Sequence, residues 1–154
     1  MSTTIGPALH TSLLILELGL RKRESALLEM ARRAHLRGAV REPELLHSLL
    51  VLSERIGGAV VGKGVAVADA RSLTLVEPHV VVAPSRPGID WDAPDGEAVR
   101  LVLLVLSPPE IPPATHQQSI ARATVLVRSA RTRQKLLEAG DADEVESLLR
   151  ELSP

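Results

Sequence analysis

Between residues 59 and 106 the apolar residues stop recurring every three or four positions and come instead in short β-branched runs, and this change of period constrains the fold most. The runs are Val60-Val61, Val65 to Ala68, Leu73 to Val76, Val80 to Ala83 and Val99 to Leu106. Clusters of Gly, Pro and Asp separate them, which predicts the strands of one sheet. Asp95-Gly96, a dipeptide that tolerates positive φ, predicts a hairpin turn ahead of the strand that opens at Val99.

Helical spacing flanks this block on both sides. Leu27, Leu28, Ala31, Ala34 and Leu36 recur at near-helical spacing over Glu24 to Arg37, with Arg32, Arg33 and Arg37 on the other side and Gly38 as the stop. A second helix opens at Pro43, carries Leu45, Leu46, Leu49, Leu50 and Leu52, and ends at Gly57-Gly58. Beyond the Pro108-Pro109 and Pro112-Pro113 pairs, Thr115 with Gln118 predicts a capped third helix to about Val127. A short helix from about Arg131 to Ala139 is closed by Gly140, and Asp141 with Glu144 caps a last one bearing Val145, Leu148, Leu149 and Leu152. Two helices, a sheet and three helices make an α/β fold, which 154 residues fill as a single domain with a loose N-terminal segment over residues 1–12.

Composition excludes several functions. There is no cysteine, so thiol nucleophiles, disulfides and thiolate metal sites are out. Trp91 is the sole aromatic residue, which leaves no stacking platform for bases or sugars and makes the core aliphatic. Eighteen Lys plus Arg against 19 Asp plus Glu give a net charge of -1 and no basic surplus for nucleic acid. The longest apolar run, Leu101 to Leu106, is too short to cross a bilayer. The N-terminus lacks a basic region, and Leu13 to Leu20 is interrupted by Glu17, so a cytoplasmic location is expected.

Three patterns resemble functional motifs without their chemistry. Gly57, Gly62 and Lys63 have P-loop spacing, but Gly64 follows where Ser or Thr must hold Mg²⁺, and the stretch leaves a helix to enter a strand. Asp90, Asp92 and Asp95 approximate a calcium loop, but Pro94 occupies a ligand position. Arg128, Arg131, Arg133 and Lys135 read as a solvated helix face.

One constellation carries more information. The stretch from Gly62 to Asp69, followed by Gly88-Ile89-Asp90-Trp91-Asp92-Ala93-Pro94-Asp95-Gly96 and the strand Leu101 to Leu106, resembles the enzyme IIA domain of the fructose/mannitol and nitrogen-regulatory branch of the bacterial phosphotransferase system. The resemblance spans about residues 13–152 and implies a mixed sheet between helices. It also implies an active site of a phosphorylated His at the end of a strand and a second His at a helix start. Read without a gap, the acceptor His falls on Asp69 and the Pro before it on Ala68. The family's Arg falls on Ser53 beside a retained Glu54, and its Ser-Thr pair on Gly58-Ala59. The second His is His116.

These matches lead to specific expectations. Asp69 and His116 should form a hydrogen-bonded pair that partly mimics the charge of a phosphorylated site. Lys63 and Arg71 lie close enough in sequence to replace the missing cationic clamp. His79, after Pro78, is a shifted-acceptor candidate, but using it detaches the motif from Gly64-Val65-Ala66, so it reads as the first residue of a strand. His10, His35 and His47 read as structural. The function implied is a phosphorylation-incompetent regulatory module that binds a protein partner, a histidine phosphocarrier protein or a regulated transporter or kinase, with no cofactor, metal or nucleic acid. The alternative is a working phosphocarrier that accepts a phosphoryl group on Asp69 or a His.

Overall fold

The structure is a computed structural model and describes residues 11–16, 18–56 and 58–151, without the side chains of residues 11, 149 and 151. Its centre is a five-stranded mixed sheet built from β1 (Thr11–Leu14), β2 (Val60–Gly62), β3 (Val65–Arg71), β4 (His79–Ile89) and β5 (Val99–Ser107). The strand order is β1-β4-β5-β3-β2. β5 pairs antiparallel with β4 and parallel with β3, β1 lies parallel to β4, and β2 closes the other edge as a hairpin with β3.

The continuous apolar run of β5 explains its place in the middle, because every side chain from Leu101 to Leu106 is buried and both faces are covered. Alternation sorts the sheet into two cores. Ala66, Ala68 and Ala70 of β3, with Val102, Leu104 and Leu106 of β5, face helices α1 (Arg23–Leu36) and α2 (Pro43–Ile56). Their small methyl groups leave room for Leu46 and Leu50 of α2, both fully buried. Val65, Val67, Leu101, Leu103 and Val105 face α3 (Pro113–Arg128), α4 (Ala130–Glu138) and α5 (Ala142–Glu151).

Several local expectations hold in detail. Gly38 has φ +83°, and the Ala39 amide donates to Ala34 O while the Gly38 amide donates to His35 O, the paired bonds of a Schellman stop. Glu144 N–H donates to Asp141 Oδ1, and the Glu144 carboxylate accepts from Gly140 N–H, so the N-terminus of α5 is closed by reciprocal bonds. Asp95-Gly96 belongs to a turn in which Gly96 N–H donates to Ala93 O, with Pro94 at its second position, and this joins the antiparallel β4 and β5. Asp95 and Asp90 spend an oxygen each on the amides of Glu97 and Asp92, so the acidic loop is held by its own backbone.

Other expectations are corrected. Leu73 to Val76 is a turn with one isolated bridge, Val40 to Leu75, rather than a strand, because Arg41 N–H takes Thr74 O and the Glu42 amide takes Thr74 Oγ1. Thr11 and Ser12, assigned to a loose segment, form part of β1, where Ser12 N–H donates to Glu146 Oε1. Residues 1–10 lie outside the described residues, as do Glu17, Gly57 and Leu152. Thr115 is not the cap of α3, since the helix begins at Pro113 with Pro112 as its cap. Ala139, not Gly140, is the extended cap residue that ends α4. Arg133 is not simply solvated, since its guanidinium donates to Val127 O and Arg128 O and closes the end of α3.

Candidate functional site

β3 and β5 run parallel, and the chain leaves the C-terminal end of β5 through a proline-rich turn into α3. Asp69 lies opposite Val105 in the β3–β5 register. By alternation Asp69 and Ser107 continue the row of Val65, Val67 and Val105 that faces α3. The first turn of α3 places His116 above that row, its amide donating to Pro112 O.

Both ring nitrogens of His116 are engaged. Nε2 lies 2.9 Å from Asp69 Oδ2 and Nδ1 lies 2.7 Å from Ser107 Oγ. An ionised carboxylate only accepts, so Nε2 carries the hydrogen and donates. Nδ1 then either accepts the Ser107 hydroxyl proton or, in the imidazolium form, donates to Ser107 Oγ. The His116 side chain is 4% exposed and that of Asp69 35%, so solvent reaches the carboxylate but hardly touches the imidazole.

The order Ser107, His116, Asp69 has the connectivity of a hydrolytic triad. Ser107 is fully buried, however, so its hydroxyl is closed off from any substrate and anchors the ring instead. No sequence motif marked Ser107. Its signal was positional: a polar residue ending an apolar strand, on the same parity as Asp69's partner Val105.

Among the other predicted residues, Ala59 O accepts from Val67 N–H on β3, two residues before Asp69. Arg71 is two residues beyond Asp69, but its guanidinium donates to Ile111 O and Pro109 O and fastens the turn that delivers α3. Lys63 is exposed at the β2–β3 hairpin with φ 57°, at the opposite end of β3, about 20 Å from Asp69 along an extended chain, and cannot serve as a clamp. Ser53 is exposed in the last turn of α2. Glu54 accepts from Trp91 Nε1 at 3.2 Å, which ties α2 to the β4–β5 loop. Burial pushes its carboxyl above the ordinary value of 4.5, against the pull of Trp91, Arg23 and the Ala59 amide. Gly58 and Ala59 lead from α2 into β2, with Gly58 N–H bonded to Glu54 O.

His79 does open β4, and by alternation it shares the face of Val81 and Ala83, the side of the sheet away from Asp69 and His116. His35 Nδ1 bonds Val40 O and His47 Nε2 bonds Glu24 O, in keeping with structural roles, while His10 lies outside the described residues. Among the described residues no group of three or more His, Asp or Glu is arranged to hold a metal ion.

Residues 8–152 match the family model for the phosphoenolpyruvate-dependent sugar phosphotransferase system, EIIA 2. The chain belongs to this family. A fructose-specific EIIA component of Haloferax volcanii is 33% identical over 110 residues, covering 68% of this chain and 69% of that protein. The crystal structure of nitrogen regulatory protein IIA-Ntr from Neisseria meningitidis superposes with a TM-score of 0.74 at 21% identity, covering 91% of this chain and 92% of the other. The IIAMTL fold of Escherichia coli, solved in complex with phosphorylated enzyme IIBMTL, superposes with a TM-score of 0.66 at 19% identity, covering 89% of this chain and 99% of the other. This EIIA chain spans only 20% and 21% of two longer EIIABC relatives, from Bacillus subtilis and Escherichia coli. Among the described residues no helix is long and apolar enough to cross a membrane.

Proposed function

We propose that the 154 residues form one cytoplasmic EIIA-like unit of nitrogen-regulatory type that no longer accepts a phosphoryl group and acts by binding a protein partner. The observation that carries this reading is the commitment of both His116 nitrogens, Nε2 to Asp69 and Nδ1 to Ser107. An imidazole attacks phosphorus through an unshared pair on a ring nitrogen, and here the one pair that a neutral ring retains is turned inward onto a buried hydroxyl.

Asp69, on this reading, stands at the position of the family's acceptor. Its carboxylate supplies a permanent negative charge at the place where a phosphohistidine would be transient, and His116 holds it in one orientation. The neighbouring cation supports a fixed surface rather than a transfer centre, because Arg71 is spent on the 109–111 carbonyls. A solved neighbour of this fold sits against phosphorylated enzyme IIBMTL, which supports a protein partner in this chain's case, a histidine phosphocarrier protein or a regulated transporter or kinase.

The test is intact-protein mass spectrometry after incubation with phosphoenolpyruvate, enzyme I and a histidine phosphocarrier protein. The parent is expected to keep its mass and Asp69→His to gain one phosphoryl group. An adduct on the parent refutes the proposal. A base-labile adduct would then mean that an Asp69 carboxylate oxygen bonds phosphorus as the donor's histidine nitrogen leaves, whereas an acid-labile one would mean a phosphohistidine.

A further inference from the structure

The outer surface of α2 carries an apolar stripe that the fold leaves uncovered. Leu45 is 41% exposed, Leu52 54% and Ile56 79%, and half-buried Leu49 lies between them. At 100° per residue the four side chains fall within about 60° of one another, a narrow seam rather than a scatter of surface leucines. A contiguous exposed patch of this kind marks an interface.

The spacing of the stripe identifies the occupant. Leu45, Leu49, Leu52 and Ile56 are separated by four, three and four residues, which reads the same in both directions. A two-fold axis across an antiparallel pair of α2 helices therefore sets Leu45 against Ile56 and Leu49 against Leu52 of the second copy. The charges agree with that register. On one flank of the stripe α2 carries an acid only at its start, Glu44, and a base only at its end, Arg55, both exposed. The same two-fold brings Glu44 to within two residues, about 3 Å along the axis, of the second copy's Arg55. The pairing occurs twice.

We infer that the α2 stripe is the interface between two copies of this chain, packed antiparallel about a two-fold axis. One helix pair is small for a stable complex, so the dimer is in concentration-dependent exchange with monomer. The apolar seam supplies the attraction, and the Glu44–Arg55 pairs select the antiparallel register.

Sedimentation velocity of the full chain over a wide concentration range tests this. The parent is expected to shift from monomer to dimer with rising concentration, and Leu52→Lys to remain monomeric throughout with unchanged circular dichroism. Arg55→Glu sets two acids against each other in both places and should weaken association about 3–30-fold. Adding Glu44→Arg to Arg55→Glu reverses both partners and should restore it. Glu44→Arg also removes the intrachain Arg32–Glu44 pair, but both of its side chains are well exposed, so that loss costs little. A parent that is monomeric at every concentration overturns the inference, as does a dimer indifferent to Leu52→Lys or a charge reversal that the double variant fails to rescue.

Discussion

Removing the Ser107 hydroxyl tests the geometry of the site independently of any partner. Ser107→Ala takes away the group that lies 2.7 Å from His116 Nδ1, in surroundings where Ser107 is fully buried and the His116 side chain 4% exposed. Water cannot easily replace the hydroxyl, so Nδ1 is left without a partner. The cost should be that of an unsatisfied buried polar group, about 1–3 kcal/mol, rather than the smaller net value of an exposed hydrogen bond. For a chain of 154 residues that lowers the melting midpoint by about 2–12 °C. Ser107 has further contacts, so the single variant does not isolate this one bond. A double-mutant cycle with His116→Leu does, because the Ser107 hydroxyl has no imidazole to meet once the ring is gone. The coupling read from urea unfolding should be about 1 kcal/mol or more. If the two single effects add to within about 0.3 kcal/mol, the hydrogen bond contributes nothing and the account of a doubly held imidazole is wrong.

Other predictions concern the frame around the site. Glu54 is raised in the folded protein above 4.5, so its contribution is fully present below that pH and is lost as the pH rises through the folded value, where the buried carboxyl must ionise. Glu54→Gln, which keeps an oxygen for Trp91 Nε1, should therefore compare better with the parent at pH 7 than at pH 4 in parallel thermal melts. An equal difference at both pH values would remove desolvation as the cause. Gly88 and Gly96 both have positive φ, but a Cβ at Gly88 would stand 2.8 Å from Ala98 Cβ while one at Gly96 meets nothing within 4 Å. Gly88→Ala should thus destabilise by clearly more than the roughly 1 kcal/mol of backbone strain expected for Gly96→Ala, and equal losses in chemical denaturation would refute the steric argument.

The sequence by itself determined the elements and most of their ends. Period, caps and turn residues act within a few positions, so the Gly38 stop, the Asp141–Glu144 cap and the Ala93–Gly96 turn follow from local physics that any context leaves intact. It also placed Asp69 and His116 as the residues to watch, through the resemblance to enzyme IIA domains. Where local signals were weak, tertiary contacts decided. Leu73 to Val76 has strand-like residues, but Thr74 bonds the 41–42 backbone and turns the segment away from the sheet. Thr11 to Leu14 becomes a strand by pairing in parallel with residues 79 to 82, a partner about 70 positions away.

The site belongs to the same category. Asp69 and His116 are 47 residues apart and Ser107 and His116 nine, and no local rule joins them. They meet because β3 and β5 are parallel and in register, which puts Asp69 and Ser107 on one face, and because Arg71 holds the turn that lowers α3 onto that face. Strand parity also sends His79 to the opposite side of the sheet, and hairpin direction carries Lys63 to the far end of β3. Residue type can nominate a histidine or a lysine, but register and burial decide which of them share a site, since those depend on pairing across the whole sheet.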